Sequence, residues 1–397
     1  MNPHIKHLSA IASKKQRLII GLMSGTSMDG LDVALCAIEW SGLKTSLRLL
    51  QFITVPYTPE TKNRINEVFA KPLVNFIKLS SLNPWLGTLH GTIVLKCLKK
   101  WAIKPSQIDA IASHGQTVMH VPAFSNPERS GGSTFQIGDG DHVAATTGII
   151  TVSDFRQKHV AAGGEGAPLA VYGDYLLLSH KSEARILLNI GGIANFTYLP
   201  AGQDAGKVFV TDTGPGNTLL DQTVRFHYPS RHFDEDANYA RAGKVNVKLL
   251  TALKTNSFFV LPFPKTTGPE LFNLDYLRAA QRKSRTLELS PPDILATLTR
   301  FSAETICEAI QRATKRKKFK VYLSGGGAHN PLLSQWLKEL LQVDFLETTD
   351  VLGVPGDAKE AVLFALLANE TLAGGPIDFG PRAKIPSITM GKISFPL

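Results

Sequence analysis

Short apolar runs alternate with helical patterns along most of this 397-residue chain, which is typical of an α/β protein. Near the start, the apolar residues 18–20 lead into a turn that contains Gly25, Asp29 and Gly30, and residues 31–38 lead out of it. The second run is apolar at nearly every position, which predicts a strand buried on both faces. Since Asp-Gly is a favoured turn pair, the pattern predicts a buried β-hairpin with its turn at residues 24–30.

The same pattern recurs in the middle of the chain. Residues 185–190 and 193–199 are strand-like and flank the pair Gly191-Gly192. Two hairpins of this form, one early in each half, predict two related domains. The predicted division is a flexible lead-in over residues 1–16, a domain I over residues 17–140 and 351–397, and a domain II over residues 141–350.

Two helices have clear sequence signals. Ser290 is an N-cap candidate, and the two prolines after it suit the first turn of a helix. A second helix is predicted from Asp357 through residue 368. Because it is apolar nearly all round, we expect it to be buried.

Composition narrows the class of protein. Apolar residues make up 43% of the chain and charged residues 19%, as in soluble globular proteins, and no apolar run reaches the ~18 residues of a membrane span. Cys36, Cys97 and Cys307 lack metal-ligand spacing and indicate reduced thiols in a reducing compartment. The lead-in lacks the long apolar core of a secretory signal, so we expect a cytoplasmic protein, with a targeting role for residues 1–16 left open.

The formal net charge of +10 does not by itself require nucleic acid. The densest basic tract, residues 312–320, follows a predicted helix, and cations at a helix C-terminus interact favourably with its dipole. We therefore expect neither a nucleic-acid partner nor a membrane partner. The positive charge is suited to attracting anionic substrates such as nucleotides.

Four glycine-rich turns adjoin strand-like runs, at residues 25–30, 163–166, 214–216 and 325–327. Glycine lets the backbone approach a ligand closely and directs amide N–H groups at anionic oxygens. Asp29 is a candidate for Mg²⁺, directly or through water. Each turn alone fits an ordinary tight turn equally well. A Walker phosphate loop and a complete G-x-G-x-x-G are absent from the sequence, so a bound nucleotide would need paired turns instead.

Ten motifs in one order along the chain carry a family resemblance: GLMSGTSMDGLDVAL, SHGQTV, QIGDG, TVSDFR, AAGGEGAPL, NIGGIAN, DTGPGN, KTTGPELFN, LSGGGAHNP and GDAKEA. Together they resemble the anhydro-N-acetylmuramic acid kinase family. The resemblance implies an actin/hexokinase-like (ribonuclease H-like) fold, with two related α/β domains flanking a cleft for ATP and sugar. It also implies Mg²⁺ as cofactor, a homodimer, and a place in peptidoglycan recycling and amino-sugar metabolism.

The reaction implied is ATP-dependent opening of a 1,6-anhydro ring by water, with phosphorylation of the 6-oxygen. By the same resemblance, Asp212 is the catalytic base, and Thr117, Arg156 and Glu360 bind the sugar. Nucleotide and phosphate binding is implied for Gly25, Thr26, Ser27, Met28, Asp29, Gly30, Leu31, Asp32, Gly214, Gly216, Asn217, Gly325, Gly326, Gly327 and Asn330.

Each side-chain role has a structural alternative. Asp212 before Thr-Gly-Pro-Gly fits a turn residue that bonds its own backbone. Glu360, three residues after Asp357, fits a capping box. Arg156 fits a surface salt bridge, and His114, which follows the strand-like residues 108–113, fits a structural hydrogen-bonding role.

The chain departs from the family pattern at four positions: His159 replaces a usual Asp, Glu165 a Gln, Pro269 an Arg and Met119 a Trp. These departures fall in segments expected to shape the sugar pocket, so they leave the sugar open. A kinase for another anhydro sugar, such as levoglucosan, is one alternative. A non-catalytic nucleotide or sugar sensor of the same fold is another.

Overall fold

The computed structural model describes residues 1–123, 126, 131–315, 318–343, 346–382 and 385–397, so residues 316 and 317 of the basic tract lie outside the described residues. The chain divides into two compact units. Unit 1 is Met1–Leu178 with Gly353–Leu397, and unit 2 is Ser179–Leu352. Within the described ranges, none of the helices combines the length and apolarity that a membrane crossing requires.

The described residues form twelve strands and thirteen α-helices. The strands are β1 (Gln16–Ser24), β2 (Gly30–Glu39), β3 (Ser46–Pro56), β4 (Ala110–Val121), β5 (Ser133–Ile137), β6 (Thr151–Ser153), β7 (Arg185–Ile190), β8 (Ile193–Leu199), β9 (Phe209–Pro215), β10 (Lys320–Ser324), β11 (Glu347–Thr348) and β12 (Lys392–Ser394). The helices are α1 (Pro3–Ala12), α2 (Pro59–Asn66), α3 (Phe76–Lys100), α4 (Gly140–Thr147), α5 (Phe155–Ala161), α6 (Ala170–Leu178), α7 (Thr218–His227), α8 (Asn238–Ala242), α9 (Val247–Leu253), α10 (Leu274–Ser284), α11 (Pro291–Thr314), α12 (Pro331–Leu341) and α13 (Lys359–Ala373).

The sheet of unit 1 has the order β12-β6-β4-β1-β2-β3, with β5 paired to β4. The predicted first hairpin is confirmed: β1 and β2 are antiparallel, and Met23 pairs with Asp32 next to the turn. β3 runs antiparallel to β2, whereas β4 runs parallel to β1 and β6 parallel to β4. Leu22, Val33 and Val94 belong to the core that this sheet forms with α3.

The sheet of unit 2 has the order β11-β10-β7-β8-β9. The predicted second hairpin, β7 with β8, is antiparallel, β9 is antiparallel to β8, and β10 and β11 add on the other side of β7 in parallel. This is the strand order and direction of β3-β2-β1-β4-β6 in unit 1. The shared topology confirms the predicted fold class, two related α/β domains of the actin/hexokinase-like type.

Two details of the predicted division differ from the structure. Unit 1 extends to Leu178 rather than to residue 140, because β6 pairs with β4 and α6 packs on α13. The lead-in is also more ordered than predicted: α1 occupies most of it. The side chain of Asn2 caps this helix by accepting from the backbone N–H of His4 at 2.8 Å, and Ile11 is fully buried.

Both helix predictions are confirmed. The Oγ of Ser290 accepts from the backbone N–H of Asp293 at the start of α11. α13 is buried nearly all round and packs on β1, β2 and β4. Its approach to β1 is close enough that a Cβ on Gly21 would overlap the carbonyl oxygen of Ala361. The capping-box alternative is not realised, because α13 begins at Lys359 without a side-chain cap from Asp357.

Candidate active site

The turn between β1 and β2 directs its polar side chains outward. Thr26, Ser27 and Asp29 are exposed, while Met28 and Leu31 are buried and have only backbone to offer a ligand. Met28 lies in the left-handed region at φ 57°, and its N–H donates to Gly25 O at 3.2 Å. This compact turn therefore presents hydroxyl, carboxylate and amide groups together.

A buried chain of hydrogen bonds supports this turn from below. Ser24 Oγ contacts both Gln116 Oε1, at 2.5 Å, and the Tyr57 hydroxyl, at 2.8 Å. The Tyr57 hydroxyl also contacts His90 Nε2 at 2.8 Å, and Gln116 Nε2 donates to Gly25 O at 3.2 Å. Burial lowers the pKa of His90 to about 4, so its ring is neutral near pH 7. Because the links that join Ser24, Gln116, Tyr57 and His90 are buried, the chain fixes the turn against β4 and α3.

Carboxylates near the turn suit a hydrated Mg²⁺ ion better than a closed metal cage. Asp32 Oδ1 accepts from Thr54 Oγ1 at 2.6 Å. Burial raises the pKa of Asp32, and the nearby carboxylates of Asp357 and Asp29 raise it further. A cation would relieve this repulsion, and Mg²⁺ takes few carboxylates and keeps several waters. Over the described ranges, no cluster of three or more His, Cys, Asp or Glu side chains is placed to hold a metal.

Arg156 is held from inside unit 1 rather than by a surface salt bridge. Its Nε donates to His114 Nε2 at 2.7 Å, and its Nη1 donates to Gly166 O at 2.7 Å. His114 Nδ1 in turn donates to Gly115 O at 2.8 Å. Burial, and next the charge of Arg156, lower the pKa of His114 to about 3. The neutral His114 ring therefore has the structural role considered for it, and it orients the guanidinium.

The departure at His159 keeps a hydrogen-bond acceptor in place. His159 Nδ1 accepts from the N–H of Gly166 at 3.0 Å, and Gly166 O is the acceptor for Arg156. Burial lowers the pKa of His159 to about 4, with Arg156 as the second cause. A neutral imidazole thus supports the loop that holds Arg156, without the negative charge that Asp would add.

The other two sugar candidates of unit 1 are Glu360 and Thr117. Glu360 lies on the first turn of α13 and is solvent-accessible. Desolvation by the surrounding groups raises its pKa, the charge of Arg156 opposes this rise, and the carboxylate of Asp32 adds to it. Glu360 is therefore electrostatically coupled to both Arg156 and Asp32. Thr117 Oγ1 accepts from Gln136 Nε2 at 3.1 Å.

Asp212 occupies a position in unit 2 that makes it unusually basic. Its Oδ2 accepts from the N–H of Thr267 at 2.8 Å, and its own N–H donates to Lys265 O at 3.0 Å. Burial raises the pKa of Asp212 to about 6. The Thr267 N–H and the Lys265 charge oppose this rise, and Glu270 adds to it. The observed contact with Thr267 is distant in sequence, so the local turn role is not what the structure shows. A carboxylate that titrates near neutral pH is suited to general-base work.

Lys265 is itself buried beside this carboxylate. Its Nζ donates to the carbonyl oxygens of Phe258, at 2.9 Å, and Phe259, at 3.2 Å. Burial, and next the charge of Arg312, lower the pKa of Lys265 to about 8, while Asp212 opposes that shift. The ammonium group is thus fixed where its charge acts on Asp212.

The predicted glycine segments of unit 2 come together around Asn217. The N–H groups of Gly216 and Asn217 donate to Gly192 O and Gly191 O, each at 2.9 Å. A Cβ built on Gly327 would lie 3.0 Å from Asn217 Oδ1, so residues 325–327 face the Asn217 amide. Gly214 and Gly325 have positive φ values of 137° and 80°, which favour glycine.

Asn330 serves first as a helix cap in this structure. Its Oδ1 accepts from the N–H of Leu333 at 2.9 Å, at the start of α12. Asn330 follows residues 325–327 closely in sequence, as predicted for the adenosine segment, but its side-chain carbonyl oxygen already accepts a hydrogen bond at the start of α12.

Sequence reasoning missed two groups of residues. The pair Gly191-Gly192 was used to predict a hairpin but was not assigned to the site, although it occupies the place in unit 2 that the Gly25–Gly30 turn has in unit 1. Comparing the two hairpins would have found it. The supporting residues Tyr57 and His90 gave no local signal, because their contacts join distant parts of the chain.

Comparison with known proteins identifies the family. A family model described as "Anhydro-N-acetylmuramic acid kinase" matches residues 17–389. The chain belongs to the anhydro-N-acetylmuramic acid kinase family. Membership of a kinase family makes it a phosphotransferase.

Three relatives carry the name "Anhydro-N-acetylmuramic acid kinase". The one from Pseudoalteromonas atlantica is 56% identical over 400 residues, and the one from Pseudoalteromonas translucida is 53% identical over 399; both alignments cover 100% of each chain. The relative from Caldanaerobacter subterraneus subsp. tengcongensis is 41% identical over 393 residues, covering 98% of this chain and 99% of its own.

Proposed function

We propose that this protein uses ATP and water to convert 1,6-anhydro-N-acetylmuramic acid into N-acetylmuramic acid 6-phosphate. The observation that carries the proposal is Asp212, a half-buried carboxylate held by the Thr267 N–H with a pKa of about 6. The shared name of relatives that align with nearly the whole chain supports the choice of sugar.

Asp212 acts as the general base. It takes a proton from water as the water oxygen bonds to the anomeric carbon and the bond from that carbon to the 6-oxygen breaks. The 6-oxygen then bonds to the γ-phosphorus of ATP, and ADP leaves. An ordinary glycosidase needs a second carboxyl group to protonate its leaving oxygen. Here the phosphoryl group captures that oxygen, so one carboxylate is sufficient.

Unit 1 supplies phosphate and sugar contacts in this proposal. The amides of residues 25–30 and the hydroxyls of Thr26 and Ser27 bind phosphate oxygens. Asp29 and Asp32 hold a hydrated Mg²⁺ that neutralises phosphate charge when it is bound. Thr117, Arg156 and Glu360 contact the sugar.

The surroundings of Arg156 favour the acidic sugar over levoglucosan, which has no carboxylate. Its guanidinium is fixed by His114 and Gly166, and neutral His159 stands where a carboxylate would compete for the positive charge. A lactyl carboxylate gains from a fixed, partly desolvated cation. We therefore assign the lactyl group to Arg156.

Unit 2 supplies the base and the remaining nucleotide contacts. In the proposal, Gly214, Gly216 and Asn217 bind phosphate, and residues 325–327 with Asn330 bind the adenosine. Gly191-Gly192 has a supporting role, because its carbonyl oxygens accept from the N–H groups of Gly216 and Asn217 and fix the backbone there. A cytoplasmic location, a role in peptidoglycan recycling and a homodimer remain predictions, and light scattering on the purified chain tests the last of these.

Turnover in ¹⁸O-labelled water tests the reaction. The full chain is incubated with ATP, Mg²⁺ and either 1,6-anhydro-N-acetylmuramic acid or levoglucosan, and the products are analysed by mass spectrometry. We expect the 6-phosphate of the first sugar, with one ¹⁸O at the anomeric position. Preference for levoglucosan would support the alternative kinase, and nucleotide binding without any phosphorylated sugar would support a sensor.

A further inference from the structure

The start of α13 presents two neighbouring faces to the rest of unit 1. Lys359 and Leu363 lie four residues apart and share one face, because side chains at this spacing are neighbours on a helix. Glu360 and Phe364 share the next face for the same reason. Whatever fixes the first face therefore sets the direction in which the side chain of Glu360 points.

The face of Lys359 packs on α6. The Nζ of Lys359 lies 2.9 Å from Oδ1 of Asp174, whose side chain is 3% exposed. A Cβ built on the neighbouring Gly173 would lie 2.6 Å from Cδ1 of Leu363, so the two helices also approach closely one turn further along α13. The ion pair and this close contact together fix the rotation of α13 against α6.

The face of Glu360 is directed at the surroundings of Arg156. The ring centroid of Phe364 lies 4.7 Å from that of His114 and 5.3 Å from that of Phe155. His114 accepts from Arg156, and Phe155 precedes Arg156 in the chain. The charge of Arg156 also opposes the rise in the pKa of Glu360. The contacts of Phe364 therefore place both proposed sugar contacts on one side of α13.

Stability alone does not account for the pairing of Lys359 with Asp174. A cation at the first position of a helix is repelled by the positive end of the helix dipole. Desolvation of the Asp174 carboxylate costs free energy as well, and apolar residues of similar volume often hold two helices equally well. The N-cap residue, Ala358, has no side-chain oxygen to accept from the first N–H groups, so the ion pair supplies the anchor that a cap would otherwise give.

We propose that Lys359 and Asp174 are positioning residues, which hold the first turn of α13 so that the carboxylate of Glu360 meets hydroxyl groups of the sugar beside Arg156. The inference rests on the proposed function, in which Glu360 and Arg156 contact the anhydro sugar. The ion pair itself does not touch the sugar and acts through the direction of Glu360. A change in the pair should therefore weaken sugar binding and leave nucleotide binding intact.

The double variant Asp174→Leu/Lys359→Met tests this role apart from stability. Leu has the branching of Asp and Met is close to Lys in length, so an apolar contact replaces the ion pair. We expect the melting temperature to stay within about 3 °C of the wild-type value. Affinity for 1,6-anhydro-N-acetylmuramic acid should fall about tenfold, and affinity for ATP should change less than about twofold. Thermal unfolding and calorimetric titration of the full chain measure these quantities without requiring turnover.

Glu360→Gln completes a thermodynamic cycle with the double variant. Alone it should weaken sugar binding about tenfold. Added to the double variant, it should weaken binding less than about twofold further, because both changes remove the same contact. Full additivity would overturn the proposal, as would normal sugar binding in the double variant beside weakened binding in Glu360→Gln. Normal sugar binding in Glu360→Gln, or none in the wild-type chain, would overturn the proposed function of this site together with the inference.

Single substitutions separate positioning from lost stability. Lys359→Met leaves the buried Asp174 without its lysine. Lys14→Met does the same to Asp109 elsewhere in unit 1, so both variants should melt about 5 °C or more below the wild-type chain. Lys359→Met alone should weaken sugar binding, and Lys359→Arg, which retains the cation, should bind the sugar within about threefold of the wild-type affinity. Equal loss of sugar affinity in Lys14→Met would overturn the proposal, because the effect would then follow from lost stability.

Discussion

The two units share one strand topology but present different groups at the turn of the first hairpin. In unit 1 the turn of the first hairpin is long and presents Thr26, Ser27 and Asp29. In unit 2 the equivalent turn is Gly191-Gly192, whose carbonyl groups engage Gly216 and Asn217. One hairpin therefore presents polar side chains, while the other has no side chains and fixes a neighbouring backbone.

The support beneath the two turns differs as well. Buried side chains, Tyr57 and Gln116 among them, hold the turn of unit 1. In unit 2 the contacts to the turn run from backbone to backbone, and the proposed base, Asp212, lies on the edge strand β9. The same strand topology therefore carries a supported polar turn in one unit and a carboxylate with a raised pKa in the other.

The largest expected effect comes from Asp212→Asn. An amide still accepts from the Thr267 N–H, but it cannot take a proton, so kcat should fall by at least about 10³-fold. Affinity for ATP should stay within a few-fold of the wild-type value. Steady-state kinetics with the anhydro sugar and calorimetry with ATP measure the two quantities. Turnover near the wild-type rate would remove Asp212 from the mechanism and leave unit 2 with backbone contacts alone.

The pH profile should report the same carboxylate. Because Asp212 works deprotonated and its pKa is about 6, kcat/KM should fall about tenfold per pH unit below pH 6. The charge of Lys265 lowers the pKa of Asp212, so Lys265→Met should move this acidic limb to higher pH. Lys207→Met, at an exposed position of the same unit, is the control and should not move it. An acidic limb that stays in place in Lys265→Met would contradict the coupling of the two groups.

Glycine substitutions compare the first turn of unit 1 with residues 325–327 of unit 2. Among the described residues, a Cβ at Gly25 meets only Ser27 Oγ at 3.6 Å, and one at Gly326 meets only Asn217 Nδ2 at 3.9 Å, so Gly25→Ala and Gly326→Ala should fold normally. Each should raise the KM for ATP about tenfold, because the added carbon keeps the nucleotide from the backbone. Thermal unfolding and ATP titrations measure both effects.

Two control variants lie in the first turn of unit 1 and in residues 214–216 of unit 2. A Cβ at Gly30 or at Gly216 would overlap a carbonyl oxygen, so Gly30→Ala and Gly216→Ala should lower stability. Gly375→Ala has open space and should change neither property. An unchanged KM in well-folded Gly25→Ala would show that this turn does not approach the nucleotide.

Tyr57→Phe should have the smallest effect on catalysis. It removes the hydroxyl between Ser24 and His90, so the free energy of unfolding should fall by about 1–3 kcal/mol and the KM for ATP should rise about threefold. Tyr276→Phe in unit 2 removes a half-buried hydroxyl that donates to Leu253 O. This control should lose stability without a change in KM. Equal KM values in the two variants would mean that the support of the turn does not affect nucleotide binding.

Local signals in the sequence predicted much of this fold. Alternating runs marked both hairpins, and Ser290 with its two prolines marked the start of α11. The order of α1 was not predicted, because it depends on burying Ile11 against distant residues. The boundary at residue 178 depends on the pairing of β6 with β4. A strand of three residues is too short to give a recognisable pattern in the sequence.

Candidate site residues could be proposed from the sequence where they belong to a family motif, as Asp212 and Arg156 do. What fixes those residues was not predictable. The raised pKa of Asp212 results from burial near Thr267, and the orientation of Arg156 results from His114 and Gly166. Sequence spacing carries little information about such long-range contacts.

The position of α13 has a consequence for biosynthesis. β1 leaves the ribosome long before the helix that covers it, which begins only at Lys359, and at Gly21 the strand has no side chain that would block the contact with Ala361. All of unit 2 is translated in between. We therefore expect the nascent chain to expose one apolar face of its first sheet until α13 has been translated, and chaperones that recognise such faces have that interval in which to bind.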